Sequence, residues 1–359
     1  MKSQAVAGTV SRTTAPPRLI VTLTGTGPGP AAFNGLAGPG TLVCYGNDSD
    51  NGSGLKLQFD VGRGTTIRLS QLRIDPADLD AVFFTHIHSD HAEGFADLIF
   101  LRWMFNGEGP KLDTVCSADA VSAPGVTLSG RKFIAHVADA FIRSGEIAQR
   151  HSETASRSPG GPADLLRTIT FEPRDDPQVV WSRGDVTVSA IRSTHIAGHV
   201  SYRVDTPAGA VVIGGDASSN VVTPPRPSST SQEVERLAKG ADVIVHSTIH
   251  PVLGPDRGSG FYPHAYYRQS TASDLGAMAQ RTGAKYLVLT HLIPALGADR
   301  HGPFKIPGGP LTEADYVTAV RKGGFTGHVV VGTDLATLGL PASDRGSPLR
   351  ARLAGDAHV

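Results

Sequence analysis

The segment Thr85-His86-Ile87-His88-Ser89-Asp90-His91 sets three histidines and one aspartate within six residues. Imidazole nitrogens suit zinc and similar first-row ions, and a carboxylate supplies charge that holds a dication. Four metal-capable side chains on one turn are a far stronger signal than a turn that is merely polar. The apolar run Ala81-Val82-Phe83-Phe84 before them predicts a buried strand, and Ala92 to Leu101 after them predicts a helix packed on it. The metal-capable side chains then sit on a strand-to-helix turn at the end of a sheet, where α/β folds place their sites.

The elements that must hold them can be read along the chain. Leu19–Leu23, Thr41–Tyr45 and Leu55–Asp60 read as early strands, and Asp185–Ile191, Val200–Val204, Ala210–Ile213, Ala241–His246, Lys285–His291 and Val329–Gly332 as later ones. Several deliver a residue able to bind metal: His195 follows one strand, Asp216 another, and His291 ends a third. Two such halves, without a sequence repeat, fit an α/β αββα sandwich of two mixed β-sheets with helices outside. Helices are expected over Gln232–Lys239 and Ala272–Thr282, the second capped by Ser270 or Thr271, and helical character over His136–Gln149 is interrupted by Gly145. Trp103-Met104-Phe105, at the end of the helix after the signature, read as core.

The motif His86-x-His88-x-Asp90-His91 resembles the signature of the metallo-β-lactamase superfamily, and the order His195, Asp216, His291 resembles its ribonuclease Z and arylsulfatase-like branch. The resemblance implies that His86, His88 and His195 hold one metal, that Asp90, His91 and His291 hold a second, and that Asp216 bridges. Two zinc ions are the expectation, with manganese or iron open. His199 competes with His195. A metal-bound hydroxide would be the nucleophile, with Asp90 and His246 as the catalytic side chains. His246, in Val-His-Ser-Thr, resembles a His-Glu-Ala-Thr segment whose histidine can protonate a leaving group; Ser247 stands where the glutamate would be, and a buried histidine satisfied by backbone is the other reading. Gln269-Ser270-Thr271 replaces a His-Ser/Thr-Thr sequence, so a proton carrier becomes a neutral amide. His264, Tyr266 and Gln269 are the substrate-pocket candidates, with His250 beside them, and the aromatic loop Phe261–Tyr267 either lines that pocket or packs. Gly25–Pro30 would be a loop at the site's edge. Asp60, in Asp60-Val61-Gly62, either orients a ligand histidine or caps the helix after it.

The chain has 359 residues, formal net charge zero and 40% hydrophobic residues. That allows one large domain over 18–340, with an insertion at about 106–170 serving as lid or dimer contact, and tails at 1–17 and 341–359. Cys44 and Cys116 form no disulfide framework and lack zinc-motif spacing, so they are expected to be reduced and structural. No stretch approaches the roughly 20 apolar residues of a membrane span, and no signal peptide is visible, so a cytoplasmic enzyme is expected. Neutral charge gives no general pull toward nucleic acid. The tight spacing between His195 and Asp216 leaves no room for the basic arm of transfer-RNA processing enzymes. The expectation is therefore a metal-dependent hydrolase of a small-molecule ester, lactone, sulfate ester or phosphate ester, with nucleic acid unfavoured and a homodimer compatible. The alternatives are a ribonuclease Z-like phosphodiesterase, told by steeply salt-dependent RNA cleavage, and a non-hydrolytic or dehalogenating enzyme of the same fold, told by iron or halide release.

Overall fold

The structure, a computed structural model, describes residues 17–46, 54–154 and 157–340. The tail expected over 341–359, and nearly all of that over 1–17, lies outside the described residues. Strands β1 (Arg18–Gly25), β2 (Gly40–Gly46) and β3 (Leu55–Phe59) form an antiparallel meander, and β4 (Ala81–Phe83) and β5 (Leu112–Ser117) continue it in parallel. A small hairpin of β6 (Ala120–Ser122) and β7 (Val126–Leu128) precedes β8 (Leu166–Phe171), which pairs with β5. The second sheet is built from β9 (Gln178–Arg183), β10 (Val186–Arg192), β11 (Val200–Thr206), β12 (Gly209–Ile213), β13 (Val243–Ile249) and β14 (Tyr286–Ile293). A two-strand ribbon, β15 (Arg300–His301) and β16 (Phe304–Lys305), follows, then β17 (His328–Val331) and β18 (Thr337–Leu340). β17 closes the second sheet, whereas β18 crosses back to pair with β1 in the first.

The two sheets face each other across one apolar layer. Phe59 and Phe83 of the first stack at 4.7 Å, and Tyr202 of the second sets its edge on Phe83 at 5.5 Å. The Tyr202 hydroxyl donates to the Phe84 carbonyl at 2.8 Å, tying the second sheet to the end of β4. Helices cover both outer faces: α1 (Thr65–Gln71), α2 (Ser89–Ala92), α3 (Phe95–Phe105), α4 (Gly130–Arg143) and α5 (Glu146–Glu153) belong to the first half, and α6 (Gln232–Leu237), α7 (Pro263–Tyr266), α8 (Ala272–Thr282) and α9 (Glu313–Lys322) to the second. This is the αββα sandwich expected from the sequence. Thr271 rather than Ser270 caps α8, accepting from the Asp274 N–H. The helix expected over 136–149 is split where Gly145 takes φ 83°, a left-handed conformation that glycine adopts without steric cost.

Two expectations are revised. The stretch 106–170 contributes β5 and β8 to the first sheet, with Leu112 and Val115 fully buried, and helix α4 between them packs Ile134 and Ala138 into the same core as Leu112. β8 is half exposed at the sheet's edge and carries no clean alternation, which hid it. Trp103 is core, but Phe105 is 74% exposed. Arg102, 1% exposed, donates to the carbonyls of Pro76, Ala77, Leu79 and Pro110 at 2.7–3.0 Å. It is the clamp that holds the turn leading into β4. Arg102→Ala leaves four carbonyls short of a donor and is expected to cost about 3 kcal/mol, read as a lower midpoint in denaturant unfolding.

Candidate metal centre

Four of the chemically capable side chains come from strands or their ends, while His88, Asp90 and His91 sit on the turn into α2. β4 runs into Thr85 and His86, β10 into His195, β12 into Asp216, and β14 carries His291. Pairing of β13 with β14 slips between Ser247 and Thr248, so His291 is an extra residue in its strand, and it takes φ 45°. Such a bulge re-aims a side chain, and here it turns His291 toward the two aspartates.

Nitrogens of His86, His88 and His195 converge. His86 Nε2 lies 2.9 Å from His88 Nδ1, and His195 Nε2 lies 3.4 Å from the same atom. Three nitrogens around a tetrahedral zinc at 2.0–2.1 Å stand roughly 3.4 Å apart, so the set is of the right size. The tautomers are also right. The Thr85 hydroxyl donates to Asp60 Oδ2 at 2.8 Å, so it must accept from His86 Nδ1 at 3.0 Å, which leaves His86 Nε2 bare. His195 Nδ1 donates to the Arg268 carbonyl at 3.2 Å, leaving its Nε2 bare as well.

A second group forms from Asp90, His91 and His291. His291 Nε2 is 3.3 Å from Asp90 Oδ2 and 3.3 Å from Asp216 Oδ2, and His91 Nε2 is 3.6 Å and 3.5 Å from the same two oxygens. Asp216 Oδ2 is also 3.7 Å from His195 Nε2 and so stands between the groups. Triads His86–His88–His195, His86–His91–Asp216 and Asp90–His91–His291 each gather their ligand atoms within 4.8 Å. Among the described residues, His91 Nε2 and Asp216 Oδ1 are buried and find no hydrogen-bond partner. Bare nitrogens, an orphaned oxygen and two buried carboxylates are what a pair of divalent cations would satisfy.

The electrostatics agree with a site shaped for positive charge. Burial would raise Asp216, but the His291 and His91 rings outweigh it and hold the carboxyl well below the usual range. Burial would lower His291, yet Asp216 and Asp90 lift it to about 9, and Asp216 and Asp60 lift His91 well above its ordinary value in the same way. Both shifts favour the protonated rings, whose protons a metal ion would displace. Zinc affinity is expected to rise with pH through about 9, with protons released on loading, as zinc titration from pH 6 to 9 in buffers of different ionisation enthalpy would read.

Asp60 is settled between its two readings. Its carboxylate accepts from the Thr85 N–H and from His91 Nδ1, at 2.8 and 2.9 Å, while the cap position of α1 belongs to Gly64. It orients His91 and fixes Thr85. His199, the rival of His195, has both ring nitrogens engaged, one with the Ser193 hydroxyl and the other with the Asp216 N–H. It positions the Asp216 turn. Gly29 brings the loop after β1 to the site's edge, since a Cβ there would lie 3.6 Å from the His291 ring.

Other candidates fall elsewhere. His246 is wholly buried; its Nδ1 donates to the Ser247 carbonyl at 2.7 Å, and its ring lies against Gly214, where a Cβ would come within 2.1 Å. No part of it reaches solvent in this structure, and its Nε2 finds no partner among the described residues, so nothing in the structure assigns it the general-acid role. His250 caps a turn after β13 and abuts Tyr316 at 5.1 Å. Tyr266 belongs to the core rather than to a pocket wall. Gln269 is 9% exposed, with its Oε1 unpartnered among the described residues, and His264 is exposed on α7. The sequence reading missed three groups. Thr85 locks the His86 tautomer, and a hydroxyl ending an apolar strand just before a metal-capable histidine was its signal. Arg268 lends its carbonyl to His195, for which no residue type is a signal. His301 is lowered to about 4 by burial and by the neighbouring His291 charge, and it lies on a ribbon too short to read.

Two relatives share most of their length with this chain. Ribonuclease Z of Mycobacterium bovis (strain BCG / Pasteur 1173P2) is 27% identical over 321 residues, 88% of this chain and 96% of the relative. Ribonuclease Z of Mycobacterium sp. (strain KMS) is 28% identical over 289 residues, 79% and 88%. Among solved structures, human tRNase Z, short form, superposes with a TM-score of 0.54 at 18% identity, covering 89% of this chain and 98% of that one. These names overturn the expectation of a small-molecule substrate with nucleic acid unfavoured. That expectation leaned on the short His195–Asp216 spacing, which leaves no basic arm there, and on net charge, which averages the whole surface, whereas strand binding needs cations only beside the site. The relatives fit the ribonuclease Z branch. No helix among the described residues is long and apolar enough to cross a membrane. The sequence model of the metallo-beta-lactamase superfamily matches residues 49–291, from before Asp60 to the last histidine of the cluster, and the chain belongs to that superfamily of hydrolases.

Proposed function

We propose that this protein is a two-metal phosphodiesterase that cleaves RNA, with a precursor transfer RNA as the substrate its relatives' names suggest. The observation that carries the reading is Asp216 Oδ2, standing 3.3–3.7 Å from His91, His195 and His291 between two triads. His86, His88 and His195 would hold one ion, Asp90, His91 and His291 the other, and Asp216 both. Zinc suits the nitrogen-rich set, with manganese and iron as lesser fits. When bound, the ions would supply Lewis acidity toward a phosphoryl oxygen and lower the pKa of water.

The chain's own residues do the rest. Thr85 and the Arg268 carbonyl hold the His86 and His195 rings with a bare nitrogen inward, and Asp60 holds His91 Nδ1 so that its Nε2 faces the same cluster. Asp90, kept ionised by His291 and His91 against its burial, contributes negative charge rather than a proton. Residues 18–340 act together in this reading, because the cluster draws on strands from both sheets. The test is incubation of zinc-loaded protein with a precursor transfer RNA carrying a 3′ trailer. Endonucleolytic release of the trailer, weakening steeply with salt, is expected; an intact precursor under conditions where the protein holds its metal would overturn the reading.

A further inference from the structure

We propose that the segment Tyr262–Arg268 is a binding track for a single nucleic-acid strand leading to the metal centre, in which the exposed Tyr262–His264 ring pair stacks a base and Arg268 takes a phosphate. The inference rests on the RNA-cleaving reading above and names how that substrate is gripped.

The geometry is that of a prepared platform. Tyr262 is 55% exposed although two other rings contact it. Its ring lies parallel to that of His264, 15° off and 5.6 Å away. Phe304 sets its edge on Tyr262 at 4.9 Å, and Phe304 is in turn held by buried Phe261 at 5.2 Å. Phe261 also contacts His301 at 5.6 Å, the residue that feels His291. The platform is thus braced by packed rings on one side, while Tyr262 stays more than half exposed. Base-on-aromatic stacking is how single strands are held without sequence preference.

Arg268 follows one short turn later. Its carbonyl is already bound to His195, so its place beside the ligands is fixed by backbone. Its side chain makes no hydrogen bond or ion pair among the described residues, and its Nε is buried without a partner. Its charge reaches His88. Arg226 donates to the Tyr267 carbonyl at 2.6 Å and lies 5.0 Å over the Tyr267 ring, and Ser270 donates to the Ala217 carbonyl at 2.7 Å. The segment is pinned on both sides, with one guanidinium left for an anion. A planar fork with free donors suits a phosphodiester.

The test is fluorescence anisotropy of a dye-labelled single-stranded pentanucleotide, and of its abasic counterpart, on zinc-loaded protein. Tyr262→Ala is expected to weaken the pentanucleotide roughly tenfold and leave the abasic strand unchanged, with Tyr262→Phe near wild type. Arg268→Gln is expected to weaken both strands about tenfold, with Arg268→Lys intermediate. Zinc content stays at the wild-type value, because the carbonyl that holds His195 remains. Equal affinity in Tyr262→Ala, an equal loss on the abasic strand, or no binding by wild type would overturn the track. Trailer cleavage is scored separately. Cleavage without base-dependent binding sinks the track and leaves the RNA reading standing; base-dependent binding without cleavage does the reverse.

Discussion

Asp216→Asn is expected to lower turnover about a thousandfold, the equivalent of about 4 kcal/mol of lost transition-state stabilisation, and to take metal content from two ions per chain to one or fewer. The side chain keeps its size, so folding should survive. What changes is charge at one buried point. Asp216 Oδ2 lies within 3.3–3.7 Å of three histidine nitrogens, and an amide there turns a donor toward whatever cation those nitrogens share. Asp216 is also the leading source of the upward shifts of His291 and His91. Without it the His291 pKa falls from about 9 toward the ordinary imidazole value. Zinc binding by the residual site should then release fewer protons than in wild type, alongside the loss of turnover. A variant that keeps two ions and half its activity would remove Asp216 from the centre of the account.

Asp60→Asn is expected to weaken metal affinity by about 10- to 100-fold, the usual effect of removing an oriented partner of a ligand histidine. Asp60 touches no ligand atom that faces the cation. It accepts three hydrogen bonds, from the Thr85 N–H, the Thr85 hydroxyl and His91 Nδ1, all buried. An asparagine tolerates the φ of 55° but has one acceptor oxygen where three donors converge. Thr85 then loses the constraint that makes it accept from His86, so the change reaches the His86 tautomer as well as the His91 ring. Zinc affinity by competition with a chromophoric chelator, with thermal unfolding of the same sample, reads both consequences. Unchanged affinity would show that the ring orientations are fixed without Asp60.

The parts of this site that the sequence made legible are those where one turn carries the chemistry. His86, His88, Asp90 and His91 lie within six residues, after a run that can only be a strand. His195, Asp216 and His291 are far apart in sequence; each was legible as the end of an apolar strand, and the resemblance joined them. The sandwich followed from the same strand-then-ligand rhythm. Contributions made by backbone or by a small hydroxyl left no mark. The Arg268 carbonyl orients His195, and any residue type has a carbonyl. The role of His246 was not legible, because a histidine on a fully buried strand looks the same in sequence whether it serves the site or the packing behind Gly214. The strand β8 was hidden by lying at an exposed edge.

The most direct test is stepwise return of zinc to chelated protein, with bound metal and cleavage of a precursor transfer RNA followed on the same samples. The account predicts no cleavage without metal, and activity that rises with occupancy to a plateau at two ions per chain. Cleavage that persists in chelated protein, or that is complete at one ion per chain, would contradict the two-metal centre built around Asp216.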